Sequence, residues 1–324
     1  MRNIPVAAAL LFGMAGSLSA QEPISATHDG LTGELAGTLQ GELAGDRPAV
    51  LILPGSGPTD RDGNNPLGVT ASTYRLLANA LAERGVSTVR IDKRGMFGSA
   101  GATANANDVT VDAYVADVEA WTSAILDRSG TSCVWLLGHS EGGTIAMAAA
   151  ARDPSRYCGL LLVSAPGRNL ADVVRAQIAA NPMAQPLLAQ VDDISARITA
   201  GETVPAEDIH PGLLPLFGPQ VQGFVSSLFR QEPATLLSAH DLPVLIVNGD
   251  RDIQTPASDA RLLAQDREGA TLVVLENVNH VLKSVEGEGR AANLAAYSDS
   301  SLPISPELVD VIAGFVTAPR GDGQ

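Results

Sequence analysis

Ser140 has the strongest chemical setting of any serine in the chain, within Gly138-His139-Ser140-Glu141-Gly142. A serine hydroxyl attacks a carbonyl carbon only when a base takes its proton, and that base needs an acid to hold its tautomer. The Gly-x-Ser-x-Gly spacing lets a strand turn sharply into a helix with the hydroxyl standing on top. Alone the match is weak, because Gly and Ser are common. Its surroundings strengthen it: an apolar run at 133–137 precedes it and an Ala-rich helical pattern at 141–152 follows. The N-terminus of that helix presents backbone N–H groups, including that of Glu141, to a developing oxyanion.

The chain has five histidines. His28 precedes the main run of elements, and His139 sits inside the turn, pointing away from its neighbour. His210 lies in a stretch without strands, and His240 stands just ahead of a strand run. His280 follows the last strand run. In the chain order serine, acid, histidine it is the candidate base. The acid should follow the preceding strand, where Asp250 and Asp252 both stand. The Gly249-x-x-Asp252 spacing favours Asp252 and leaves Asp250 a turn or capping role ahead of Pro256.

A second oxyanion donor is expected from the loop after an early strand. Pro54-Gly55-Ser56-Gly57 follows the apolar run at 49–53, so the N–H of Ser56 pairs with that of Glu141. The loop has no G-x-G-x-x-G and no Lys-Ser/Thr partner, which argues against a phosphate cradle. No His/Cys/Asp set has metal-ligand spacing, so neither metal nor cofactor is expected. Thr59, Asp60, Arg61, Asp62 and Asn64 form a polar loop beside the oxyanion position. Either it touches substrate or it is self-bonded through Arg–Asp pairs, and the second reading is preferred. Arg94, close after Asp92, is expected in the same network.

These residues need a scaffold. Continuous apolar runs at 49–53, 86–91, 133–137, 159–163, 244–247 and 271–275 suit strands buried on both faces. Helical patterns lie between and after them at 71–84, 111–128, 141–152, 256–266 and 306–316. The alternation predicts an α/β fold, a mostly parallel sheet covered by helices. Ahead of it, Asp29-Gly30 marks a turn between short strand-like runs. Gly-Glu-Leu-Ala-Gly occurs at 33–37 and again at 41–45 without any longer repeat. Residues 167–240 break the alternation. They are proline-rich, with helical pieces, and read as a helical cap insertion in a core made of 21–166 and 241–324. Phe217, Phe224, Leu228 and Phe229 could line an acyl pocket there, but at helical spacing they read better as the buried side of the insertion.

The net charge of −15 argues against nucleic acid as a partner. Residues 1–20 read as a signal peptide. Arg2 leads an apolar run that is too short to span a membrane comfortably, and Ser19-Ala20 precede polar Gln21-Glu22. The mature chain is therefore expected to be secreted or periplasmic, with no stable membrane insertion.

Together these segments resemble the α/β-hydrolase superfamily, closest to exported bacterial esterases. The similar elements are Pro54-Gly-Ser-Gly-Pro-Thr-Asp-Arg-Asp-Gly-Asn64, Asp92-Lys-Arg-Gly95, Gly138-His-Ser-Glu-Gly-Gly143, Asn248-Gly-Asp-Arg-Asp-Ile-Gln-Thr-Pro256 and Asn279-His280. They span about 49–282. Pro54 departs from the pattern, since many relatives carry His before the oxyanion glycine. The resemblance implies hydrolysis of small-molecule carboxylic esters, often short-chain, through Ser140, Asp252 and His280. A peptidase, thioesterase or lactonase would use the same groups. A non-catalytic binding protein of this fold commonly lacks one of them. Ser140 argues against the Asp-nucleophile dehalogenases and epoxide hydrolases. In this fold Cys133 and Cys158 begin neighbouring parallel strands, so a disulfide is expected if their Cα atoms lie within about 7 Å.

Overall fold

A computed structural model describes residues 21–287 and 289–319. The leader reading at 1–20 lies outside the described residues. Eight strands form one sheet: β1 (Gln21–Ala26), β2 (Leu35–Gln40), β3 (Ala49–Leu53), β4 (Ser87–Ile91), β5 (Val134–His139), β6 (Tyr157–Val163), β7 (Val244–Gly249) and β8 (Thr271–Leu275). Their spatial order is β1-β2-β4-β3-β5-β6-β7-β8. β1 and β2 pair antiparallel, β2 is antiparallel to β4, and all later pairs are parallel.

The central strands are apolar throughout because both faces are covered. Alternation along each strand divides them. Leu51, Leu53, Leu136, Leu160, Leu162 and Ile246 pack on one face with Trp121, Ile125 and Ile145. Val50, Ile52, Leu137, Leu161, Val163, Leu245 and Val247 pack on the other with Leu77, Leu81, Leu308 and Ile312. The helices doing this are α1 (Thr73–Ala82), α2 (Val111–Ser129), α3 (Glu141–Arg152) and, near the C-terminus, Pro306–Thr317. Local chemistry sets their ends. Thr110 caps α2 by accepting from Ala113 N–H, and Gly130 closes it in the left-handed conformation at φ 67°.

Between β6 and β7 lie only helices: α4 (Leu170–Ala179), α5 (Leu188–Thr199), α6 (Leu214–Phe217), α7 (Gln222–Phe229) and α8 (Pro233–Ser238), with short 3-10 turns between them. They form their own apolar cluster around Val191, Ile194, Ile198, Phe217 and Phe229. The N-terminal hinge of this segment is fixed by Arg168, whose guanidinium donates to both oxygens of fully buried Asp259 at 2.9 Å. Asp259 lies in α9 (Ala257–Asp266). After β8 come α10 (Arg290–Ala295) and α11 (Pro306–Thr317), the latter capped by Ser305. Cys133 and Cys158, at the starts of adjacent β5 and β6, are joined in a disulfide with Cα atoms 5.1 Å apart.

Candidate active site

Ser140 stands between β5 and α3 with φ 54° and ψ −126°, a conformation rare for a side-chain-bearing residue. Two glycines permit it. A Cβ on Gly138 would lie 2.4 Å from the carbonyl oxygen of Gly142, and one on Gly142 would lie 2.2 Å from that of Leu53. The Ser140 side chain makes no capping bond to α3, so its hydroxyl is left for the cleft above.

His280 and Asp252 meet on the neighbouring edge. His280 Nδ1 lies 2.8 Å from Asp252 Oδ2, with both side chains buried. This contact occupies Nδ1, leaving Nε2 as the nitrogen free to serve the cleft. Burial would push the Asp252 carboxyl up. The charge and hydrogen bond of His280, with the N–H groups of Thr255 and Gln254, outweigh it and hold the pKa below its ordinary value. Asp252 therefore stays ionised. Thr255, unnoticed in the sequence, also touches Asp252 Oδ2 at 3.0 Å. Asp250 does something else: its carboxylate accepts from Asn277 N–H at 2.7 Å and ties the β8 exit to the β7 exit.

Both ring nitrogens of His139 are engaged away from its neighbour Ser140, and the ring is built into the site. Its Nε2 lies 2.9 Å from the carbonyl oxygen of His280, and the two rings are 4.8 Å apart. A carbonyl only accepts, so Nε2 carries the proton and Nδ1 must accept. The partner of Nδ1 is the Tyr74 hydroxyl at 2.9 Å, which in turn accepts from Gly55 N–H at 2.9 Å. Burial, then the His280 charge, push the His139 pKa down to about 3, so the ring is neutral. Burial raises the Tyr74 pKa, which keeps the phenol protonated to donate. One directional chain thus runs from the loop after β3, under the elbow, to the backbone of His280. Its members lie far apart in sequence, and no local motif signals them.

The same chain removes Gly55 N–H from any oxyanion role. Ser56 is next, and it lines the cleft with Ser140 and His280. Glu141 is the first residue of α3, so its N–H has no intrahelical partner. A Cβ on Gly55 would sit 3.2 Å from Ser140 Cβ, which measures how closely the loop approaches the serine.

The cleft, of about 140 Å³, is walled by Thr59, Asn65, Val69, Gln254, Val281 and Tyr297. None of its described lining residues comes from 167–240. Phe217 and Phe229 are buried inside that segment, and Phe224 packs edge-on to Tyr114. The loop at 58–64 is bonded partly to itself and partly to β4 and the residue after it, while its Thr59 lines the cleft. Arg61 pairs with Asp92, Arg90 with Asp62, and Asp60 accepts from the N–H groups of Asp62 and Asn64. Arg94 departs from expectation: its guanidinium turns to Asp117 and His28 rather than to the Asp92 network. Among the described residues no His/Cys/Asp/Glu group could hold a metal, and no helix is long and apolar enough to cross a membrane.

A mostly parallel sheet with helices on both faces, and a left-handed serine elbow between β5 and α3, define an α/β-hydrolase. Comparison with known proteins places the chain within it. Residues 67–284 match the model of the Hydrolase_4 family, described as serine aminopeptidase, S33, and the chain belongs to that family. It is 26% identical over 252 residues to Esterase EstD of Thermotoga maritima, an alignment covering 76% of this chain and 57% of that protein. The chain thus spans little more than half the length of EstD. It is 27% identical over 214 residues to a monoacylglycerol lipase of Mycolicibacterium smegmatis, covering 60% of this chain and 70% of the lipase. Among solved structures, Est1E from Butyrivibrio proteoclasticus shares the fold at TM-score 0.56 and 18% identity, over 92% of this chain and 99% of that one.

Proposed function

We propose that the chain is a serine hydrolase that cleaves small carboxylic esters. Ser140 is the nucleophile, His280 the general base and Asp252 the acid that holds the imidazole. The N–H groups of Ser56 and Glu141 receive the oxyanion. The observation that carries this reading is the 2.8 Å contact of His280 with Asp252 beside a cleft that also contains Ser140 in its left-handed turn. In acylation His280 Nε2 takes the Ser140 proton as Oγ bonds to the carbonyl carbon, and the carbonyl oxygen becomes anionic between the two N–H groups. His280 then gives that proton to the leaving alkoxide. In deacylation it takes a proton from water, whose oxygen attacks the acyl carbon, and returns it to Ser140 as the acid departs. Asp252, kept ionised, stabilises the transient imidazolium.

Ester rather than peptide substrates are favoured by the neutral cleft walls, where Thr59, Asn65, Gln254 and Tyr297 stand. A free α-amino group, the handle of an aminopeptidase substrate, would meet amides and hydroxyls there. The esterase and lipase relatives agree. A short acyl chain suits a cleft of about 140 Å³ to which the described aromatic residues of 167–240 contribute no wall. That segment serves as a cap beside the cleft, anchored by the Gln177 side chain donating to the Gln254 carbonyl at 3.1 Å. Export is supported by the Cys133–Cys158 disulfide, a bond that persists in oxidising compartments.

Turnover of p-nitrophenyl acetate, butyrate and laurate, beside an aminoacyl p-nitroanilide and a thioester, tests the reading. Acetate and butyrate are expected to lead, with laurate at least about tenfold lower in kcat/KM. Preference for the anilide would replace the ester assignment with a peptidase one.

A further inference from the structure

The C-terminal ends of β4, β3 and β5 lie side by side in the sheet, and each supplies one polar group to a buried cluster under the cleft. After β4 comes Lys93, after β3 Gly55, and after β5 the pair Ser140-Glu141. The Lys93 side chain is only 7% exposed. Its Nζ donates to the carbonyl oxygen of Gly55 at 2.8 Å and lies 3.5 Å from Glu141 Oε1, itself 4% exposed. A buried lysine is costly unless paired and hydrogen-bonded. Here its partners are Gly55, whose carbonyl shares a peptide unit with the Ser56 N–H, and Glu141, and neither the nucleophile nor the acid–base pair accounts for it.

Gly55 is gripped at both ends. Its N–H goes to Tyr74 and its carbonyl to Lys93. There are no cis peptide bonds among the described residues. In a trans peptide the carbonyl oxygen and the following N–H point in opposite directions. A Gly55 carbonyl drawn down to Lys93 therefore turns the Ser56 N–H the other way, toward the cleft that Ser56 lines. The ammonium also polarises that peptide unit, which strengthens the N–H as a donor to negative charge. Glu141 Oε1 lies 3.5 Å from the same ammonium, so Lys93 links Glu141, one oxyanion donor, to the peptide unit that carries the other, the Ser56 N–H.

We propose that Lys93 is a positioning residue for the oxyanion hole: by holding the Gly55 carbonyl it aims and polarises the Ser56 N–H at the transition-state oxygen. This rests on the ester-hydrolase reading. Lys93 acts on the charge that develops at the tetrahedral stage and not on the bound ester, so its loss lowers kcat and leaves KM nearly unchanged.

The test uses Lys93→Met and Lys93→Gln, each checked for native melting, with p-nitrophenyl butyrate as substrate. An alkyl trifluoromethyl ketone serves as the probe; its carbonyl carbon takes Ser140 Oγ while the proton passes to His280, leaving an oxyanion. In either variant that folds, kcat is expected to fall about 10- to 100-fold. The ketone's Ki should rise by the same factor while KM moves less than about threefold. A lysine that only props the loop would not link kcat to Ki in this way. A variant with wild-type kcat, or with reduced kcat and unchanged Ki, overturns the proposal. Independently of variant folding, a crystal structure of the wild-type ketone adduct should place the hemiketal oxygen about 3 Å from both Ser56 N and Glu141 N, with Lys93 still on Gly55 O. An oxygen seated elsewhere, or Lys93 withdrawn, overturns it equally. Failure of the wild type to hydrolyse the ester or bind the ketone would count against the hydrolase reading itself.

Discussion

Protonation of His139 should be a principal route by which acid destabilises this fold. The ring donates from Nε2 to the His280 carbonyl and accepts at Nδ1 from Tyr74, so a second ring proton has no acceptor and would oppose the Tyr74 hydroxyl. Its pKa falls from 6.5 to about 3, first through burial and then through the His280 charge. Because the folded value is the lower one, the unfolded chain binds the extra proton more readily between these two pH values. Stability from this residue is full above the unfolded pKa and is lost as pH falls toward the folded one. Between pH 7 and pH 5 the loss is about 2 kcal/mol, or about 3 °C in Tm for a domain of this size. Urea unfolding of wild type and His139→Gln at pH 7, 6 and 5 measures it. Gln keeps an N–H for the His280 carbonyl but cannot titrate. The variant should start less stable and lose about 2 kcal/mol less than wild type across the range. Parallel pH dependences for the two proteins would refute the assignment of a buried, neutral His139.

Other expectations follow from single contacts. Tyr74→Phe strands the Gly55 N–H and His139 Nδ1 in a buried site and should cost about 2–4 kcal/mol in urea unfolding; a cost below 0.5 kcal/mol would contradict the chain of bonds. Asp252→Asn should lower kcat by about 10³–10⁴ by supplying a donor where the imidazole needs an acceptor, while Asp250→Asn, which changes a side chain bonded to Asn277 and Arg251 and not to His280, should stay within about fivefold. Equal losses at the two positions would mean that the acid is misassigned. Replacing both Cys133 and Cys158 with Ser opens a closure across a sequence separation of 25 and should cost about 3 kcal/mol without changing kcat; an unaltered melting temperature would show that the bridge contributes nothing.

Much of the scaffold was readable because buried parallel strands must be apolar on both faces. The runs at 49–53 and 271–275 coincide with β3 and β8, and the helix at 141–152 coincides with α3. The elbow was readable because its glycines answer a local steric demand, visible in the 2.4 Å approach that a Cβ on Gly138 would make. Proximity of Asp252 and His280 was foreseen from chain order. The choice between Asp250 and Asp252 turns on which way two loop carboxylates point, and spacing constrains that poorly. Tyr74 and Lys93 were missed, and the bonding of His139 was not foreseen, for one reason. Their partners are Gly55 after β3, Tyr74 on α1, Glu141 on α3 and His280 after β8, brought together only when the sheet forms. Arg94 shows the same limit: two residues after Asp92 in sequence, it bonds instead to Asp117 on α2.

Covalent trapping of the nucleophile tests the central claim most directly. The protein would be treated with diethyl p-nitrophenyl phosphate, its intact mass measured, and the adduct mapped by peptide sequencing, beside Ser140→Ala. One diethylphosphoryl group on Ser140, released p-nitrophenol in equal amount and complete loss of ester hydrolysis are expected, with no adduct on the variant. An adduct on another residue, or equal labelling and activity in Ser140→Ala, would contradict the assignment of Ser140 and the mechanism built on it.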